Sequence, residues 1–112
     1  MKRKLLAVVA ADMVGFSRLV ENDEINILSR QKEYFNEIIE PEIKKFHGEI
    51  IKTTGDGFLA TFVSSLDAVE STTNIQKIIN FREKTWSNDK RIWYRIGINI
   101  GDVVLDDGDI FG

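Results

Sequence analysis

Three polar side chains stand where chemistry is possible: Asp12, Lys52 and Asp56. Asp12 ends a continuous apolar run, Leu5-Leu6-Ala7-Val8-Val9-Ala10-Ala11, as expected of a central strand covered on both faces. After it, Met13-Val14-Gly15-Phe16-Ser17 turns at a glycine into a short helix start. A carboxylate there can bind a cation while free backbone amides at the helix N-terminus meet phosphate. It can equally cap the segment that follows. Asp56 lies in Ile50-Ile51-Lys52-Thr53-Thr54-Gly55-Asp56-Gly57-Phe58-Leu59-Ala60-Thr61-Phe62, two apolar runs around Gly-Asp-Gly. That pattern predicts a β-hairpin with an acidic tip. Its glycines permit positive φ and let a backbone or ligand come close. The Asp could also be there only because Asp tolerates turns. Lys52, just before the turn, is either a solvated strand lysine or a ligand contact.

The composition narrows what such residues could serve. A chain of 112 residues is one domain at most. Its 43% hydrophobic and 29% charged content suits a soluble globular protein and excludes disorder. A net charge of −3 argues against a general nucleic-acid binder. With no cysteine there is no disulfide, thiolate site or Cys nucleophile, and the single His47 excludes a multi-histidine metal cluster. Leu5–Ala11 follows Lys2-Arg3-Lys4 and weakly resembles a signal peptide. It is far too short to span a membrane, and Asp12 interrupts it at once. The expectation is a buried strand in a cytoplasmic protein.

The elements that must position these residues follow in order. Asn22 or Asp23 can cap a helix to about Glu40, with Ile25, Ile27, Leu28, Tyr34, Phe35, Ile38 and Ile39 near helical spacing. Pro41 marks a kink or a fresh start, and a last turn through Ile43 and Phe46 ends near His47-Gly48, with Gly48 as C-terminal cap. Hairpin strands are expected over about 49–53 and 57–62. Ser64 or Ser65 then caps a helix over about 66–84, its buried side supplied by Leu66, Ala68, Val69, Ile75, Ile78, Ile79 and Phe81. From Ile92 to Ile100 the residues alternate: Ile92, Tyr94, Ile96, Ile98 and Ile100 share one face, Trp93, Arg95, Gly97 and Asn99 the other. Gly101 is expected to break this strand before a brief Val103-Val104-Leu105 strand and an acidic turn.

The order is β-α-β-β-α-β, the ferredoxin-like α+β arrangement, with both helices on one face of an antiparallel sheet. In that topology the first and third strands are central. The end of the first strand and the hairpin tip lie at one edge, so Asp12 and Asp56 could bind the same cations.

Four segments together resemble the class III adenylate and guanylate cyclase catalytic domain. They are Ala10-Ala11-Asp12-Met13-Val14-Gly15-Phe16-Ser17, Lys52-Thr53-Thr54-Gly55-Asp56-Gly57, Arg95-Ile96-Gly97-Ile98-Asn99-Ile100-Gly101 and Asp109-Ile110-Phe111-Gly112. Each is weak alone; in this order, over nearly the whole chain, they are specific. The resemblance implies that Asp12 and Asp56 hold two Mg²⁺ or Mn²⁺ ions, with the Met13 carbonyl as a further ligand. It gives the backbone amides of Val14, Gly15, Phe16 and Ser17 to the triphosphate. Lys52 and Asp109 become the purine readers, a donor and an acceptor that suit adenine and favour ATP over GTP. The implied reaction is cyclisation of ATP to cyclic AMP and pyrophosphate, at sites shared between the protomers of a homodimer.

The resemblance also implies a departure. The family's transition-state Asn and Arg lie on a helix beyond the Asp-Ile-Phe-Gly element, so no catalytic residue is assigned within this chain. Residues 1–112 are expected to be the N-terminal part of such a domain, with little activity alone. Arg95 and Asn99 belong to a different motif and take neither role. Two alternatives stand beside this one. A diguanylate cyclase of the same palm core would need a Gly-Gly-Asp/Glu-Glu-Phe hairpin, absent here. A non-catalytic nucleotide-binding or dimerising regulatory module would share the fold without the chemistry.

Overall fold

The computed structural model describes residues 2–112. Strand β1 (Lys2–Met13) leads into helix α1 (Phe16–Tyr34), a π-helical turn (Phe35–Ile39) and helix α2 (Glu40–Lys45). Strands β2 (Glu49–Thr53) and β3 (Phe58–Phe62) form the hairpin, and helix α3 (Ser65–Glu83) follows. A 3₁₀ turn (Asn88–Lys90) precedes the long strand β4 (Tyr94–Asp106) and the short β5 (Asp109–Phe111). The sheet order is β2-β3-β1-β4-β5, antiparallel at every pair. The expected α+β palm is therefore present, with β3 and β1 inside the sheet, and the final β4–β5 hairpin added at one edge.

The alternation along β1 sets the two faces. Ala7, Val9, Ala11 and Met13 are buried toward the helices, against Phe58, Phe62, Ile39, Ile43, Ile75 and Ile79. Val8, Ala10 and Asp12 point the other way. Helix α1 is two helices joined at Asp23, whose φ of −159° and ψ of 74° are extended. The Asp23 carboxylate accepts from the Asn26 amide, 3.4 Å, so Asp23 caps the second segment as its sequence position suggests. The first segment is the predicted short helix starting at Phe16. The π-helical turn just before Pro41 has a local cause. Pro41 has no amide to donate and its ring crowds the preceding turn, and a widened turn relieves both.

Several expectations need correction. Ile25 is 86% exposed, and Leu66, Val69 and Phe81 are exposed too. The buried stripe of α3 keeps the expected Ala68, Ile75 and Ile79 and adds Ser71, Thr72 and Glu83, because helical phase decides the inner face over hydrophobicity. Gly101 does not interrupt β4; it pairs with Leu6 inside a continuous ladder. Ile98 and Ile100 keep the helix-side phase, opposite Val9 and Ala7, yet are exposed. At the end of α2 the left-handed residue is His47 (φ 65°), not Gly48. Gly48 is needed for space: a Cβ there would lie 2.4 Å from the Phe62 ring. Ser64 caps α3 as expected, accepting from the Asp67 amide at 3.1 Å.

Candidate active site

Register places the site residues. Asp12 pairs with Arg95 across β1 and β4. Ala10 pairs with Leu59, and Leu59 with Lys52. Asp12, Arg95 and Lys52 therefore share the face of the sheet that no helix covers.

Asp12 is held bidentately. Arg95 Nε donates to Oδ1 at 3.0 Å and Nη2 to Oδ2 at 2.9 Å. The Asp12 hydrogen bonds and charge, then the charge of Asp56, hold the Arg95 guanidinium still more firmly protonated than usual. One cation thus feels both carboxylates. The hairpin tip explains why. Gly57 lies so close to β1 that a Cβ would sit 1.7 Å from the Ala11 carbonyl oxygen and 2.9 Å from the Asp12 Cα. The adjacent Asp56 is thereby brought to the end of β1, where Asp12 is. Gln31 on α1 donates to the Gly55 carbonyl at 3.0 Å and holds the tip from the helix side. Neither Gly55 nor Gly57 uses positive φ; the second serves close approach.

The turn after β1 is less open than expected. Val14 donates its amide to the Trp93 carbonyl at 2.8 Å, so it is not free for a ligand. Gly15, at φ 65°, precedes α1 without a side-chain cap. The first-turn amides, Phe16 and Ser17 among them, have no intrahelical acceptor and can meet an anion.

Lys52 and Asp109 meet at 2.8 Å. Asp109 opens β5, and its other oxygen accepts from the Ile110 amide at 2.8 Å. The Lys52 hydrogen bond, then that amide, hold the Asp109 carboxyl below the usual range. Lys52 and Asp109 thus form an ion pair where β5 meets β2, and the hairpin tip that carries Asp56 lies against the end of β1 that carries Asp12.

The donor set fits hard divalent cations, since Asp12 and Asp56 offer carboxylate oxygens at one rim that already attracts a positive group. Among the described residues no group of three or more His, Cys, Asp or Glu gathers as a metal site, at this rim or elsewhere. Two functional features escaped the sequence reading. One is the Arg95–Asp12 pair, which only the register of β1 on β4 reveals. The other is a buried network in which Glu83 accepts from Arg30, Tyr34 and the Ile92 amide.

A five-stranded antiparallel sheet, curled so that β5 reaches β2 and with its β2–β3 hairpin tip set against the end of β1, defines a nucleotide-cyclase palm. The model of the adenylate and guanylate cyclase catalytic domain matches residues 2–107, and the chain belongs to that family. It is 51% identical to an adenylate/guanylate cyclase/hydrolase from Silicibacter pomeroyi, whose crystal structure superposes with a TM-score of 0.91 over 99% of this chain and 64% of that one. The provisionally named adenylate cyclase 3 of Rhizobium meliloti (strain 1021) is 37% identical over 111 residues, 99% of this chain and 19% of that protein. The adenylyl cyclase CyaB from P. aeruginosa is 25% identical, with a TM-score of 0.75 over 97% of this chain and 64% of its own. This chain therefore spans less than two thirds of each of these relatives. Family membership sets aside the diguanylate cyclase alternative. Among the described residues no helix is long and apolar enough to cross a membrane.

Proposed function

We propose that this chain supplies the metal-binding and purine-reading residues of an adenylate cyclase, which converts ATP to 3′,5′-cyclic AMP and pyrophosphate. The observation that carries the reading is the Gly57 contact with Ala11 and Asp12, which brings Asp56 to the end of β1. Asp12 and Asp56 would hold two Mg²⁺ or Mn²⁺ ions, with the Met13 carbonyl beside them. Bound there, such ions lower the pKa of the attacking ribose hydroxyl and neutralise the leaving pyrophosphate. The Gly15, Phe16 and Ser17 amides would bind and orient the triphosphate. Lys52 would donate to adenine N1, and Asp109 would accept from its N6 amino group. Their 2.8 Å ion pair presents that donor and acceptor side by side.

A homodimer is part of the proposal. The helix-free face carries an apolar groove lined by Val8, Ala10, Leu59, Val103 and Ile110, suited to burial against a second copy. Across such an interface Asp12 and Asp56 of one protomer would face Lys52 and Asp109 of the other.

Calorimetric titration with Mn²⁺ and a non-cyclisable ATP analogue tests this. Binding of the analogue should require Mn²⁺ and be lost in Asp56→Ala. Metal-independent binding, or binding that survives that substitution, would overturn the proposal, and the absence of any nucleotide binding would favour a purely dimerising module.

A further inference from the structure

We propose that Arg95 is a latch on the metal site: its guanidinium occupies the Asp12 carboxylate until a divalent ion displaces it. The inference rests on the reading of Asp12 and Asp56 as metal ligands, and extends it to what governs loading. Both Asp12 oxygens accept an N–H from Arg95, at 3.0 and 2.9 Å. An ion binding either oxygen while this fork stays in place would sit against a like charge. Asp12 also has no substitute, since among the described residues no third acidic ligand joins the rim. Arg95 and the ion therefore compete for the Asp12 carboxylate.

The surroundings make departure easy. The Arg95 side chain is 70% exposed, and its bonds to Asp12 are the only hydrogen bonds its side chain makes among the described residues. Two positions along the same face of β4 is Gly97, where even a Cβ would meet nothing within 4 Å. In the separate protomer a released guanidinium has that open floor to swing across. Arg95 thus sets the concentration at which the ion wins Asp12, without itself holding the ion.

The test uses Mn²⁺ alone, without nucleotide. Mn²⁺ binding to the chain is followed by paramagnetic resonance for the wild type, Arg95→Met and Asp56→Ala. Arg95→Met should bind Mn²⁺ more tightly, on the order of five-fold. In parallel, the Arg95 Nε–H resonance is followed during Mg²⁺ titration and should move with the Mg²⁺ binding midpoint as the bond to Asp12 opens. The second readout separates a latch from simple repulsion between Arg95 and the ion, which would leave that hydrogen bond intact. Unchanged or weaker Mn²⁺ binding in Arg95→Met, or a stationary Nε–H signal, would overturn the latch while loss of binding in Asp56→Ala keeps the metal-site reading. Failure of every protein to bind Mn²⁺ would overturn both.

Discussion

Lys52 and Asp109 are separated by 57 positions in sequence and by three strands in the sheet order, yet their side chains meet at 2.8 Å. The sheet is rolled until its outermost strands, β2 and β5, touch. Only in that rolled form do the two proposed purine readers become one device.

Base preference should follow this pair. Lys52→Glu alone would face Asp109 with a like charge, so the informative change is Lys52→Glu with Asp109→Ser. The double variant should shift nucleotide preference from an ATP analogue toward a GTP analogue by about ten-fold or more, since each mismatched donor or acceptor is left unpaired. Competition binding with the two analogues measures the ratio. Thermal stability should barely change, because both side chains are substantially exposed.

Acid titration offers a check on the same contact. Asp109 ionises below its ordinary 3.8, because Lys52 and the Ile110 amide favour the carboxylate. Its contribution to stability is thus present above 3.8 and is lost as pH falls through the lower folded value. Carboxyl carbon NMR should place the Asp109 midpoint below 3.8, and Lys52→Ala should move it upward toward that value.

Gly57 and Gly55 should respond in opposite ways to alanine. A Cβ at Gly57 collides with the Ala11 carbonyl, whereas one at Gly55 meets nothing within 4 Å. Gly57→Ala should cost about 2–4 kcal/mol in urea unfolding and lift Asp56 away from Asp12. Gly55→Ala should stay within about 0.5 kcal/mol.

The buried cluster around Glu83 should dominate stability. Glu83 is 1% exposed and accepts from Arg30, Tyr34 and the Ile92 amide, while Arg30 also stacks on Trp86 at 3.9 Å. Burial, reinforced by Glu83, keeps the Tyr34 phenol protonated well above its usual range. Glu83→Ala should cost about 3–5 kcal/mol by leaving Arg30 buried without its partner. Tyr34→Phe should cost about 1 kcal/mol. Replacing the pair together, Arg30→Met with Glu83→Leu, should recover much of the larger loss, and a double-mutant cycle from chemical denaturation checks all three.

How much of this was legible beforehand follows from which forces act locally. The hairpin over 49–62 and the central position of β1 are written in short spans of chain, so pattern alone found them, and it narrowed each helix cap to two neighbours of which the structure uses Asp23 and Ser64. The inward stripe of α3 was misread because Leu66, Val69 and Phe81 are hydrophobic yet out of phase, while Glu83 is charged yet in phase and satisfied by distant partners. Gly101 misled for a related reason. A glycine weakens an isolated strand, but Leu6 pairs with this one inside a twelve-rung ladder. For the site, motif resemblance named Asp12, Lys52, Asp56 and Asp109. It did not reveal that Arg95 lies on Asp12 or that the Trp93 carbonyl takes the Val14 amide, because both depend on strand register.

The two acidic residues at the rim hang from very different supports. Ala7 through Ala11 are paired on both sides, so Asp12 extends from the part of the sheet that opens last. Asp56 rides a turn whose outer strand, β2, is hydrogen-bonded to one strand only and has a largely exposed surface. In the proposed metal site the pair would act as a vice with one fixed jaw and one that can slide. Adjustment to ions of different radius therefore falls to the hairpin, and deuterium uptake at Thr54–Gly57 should report it while β1 stays silent.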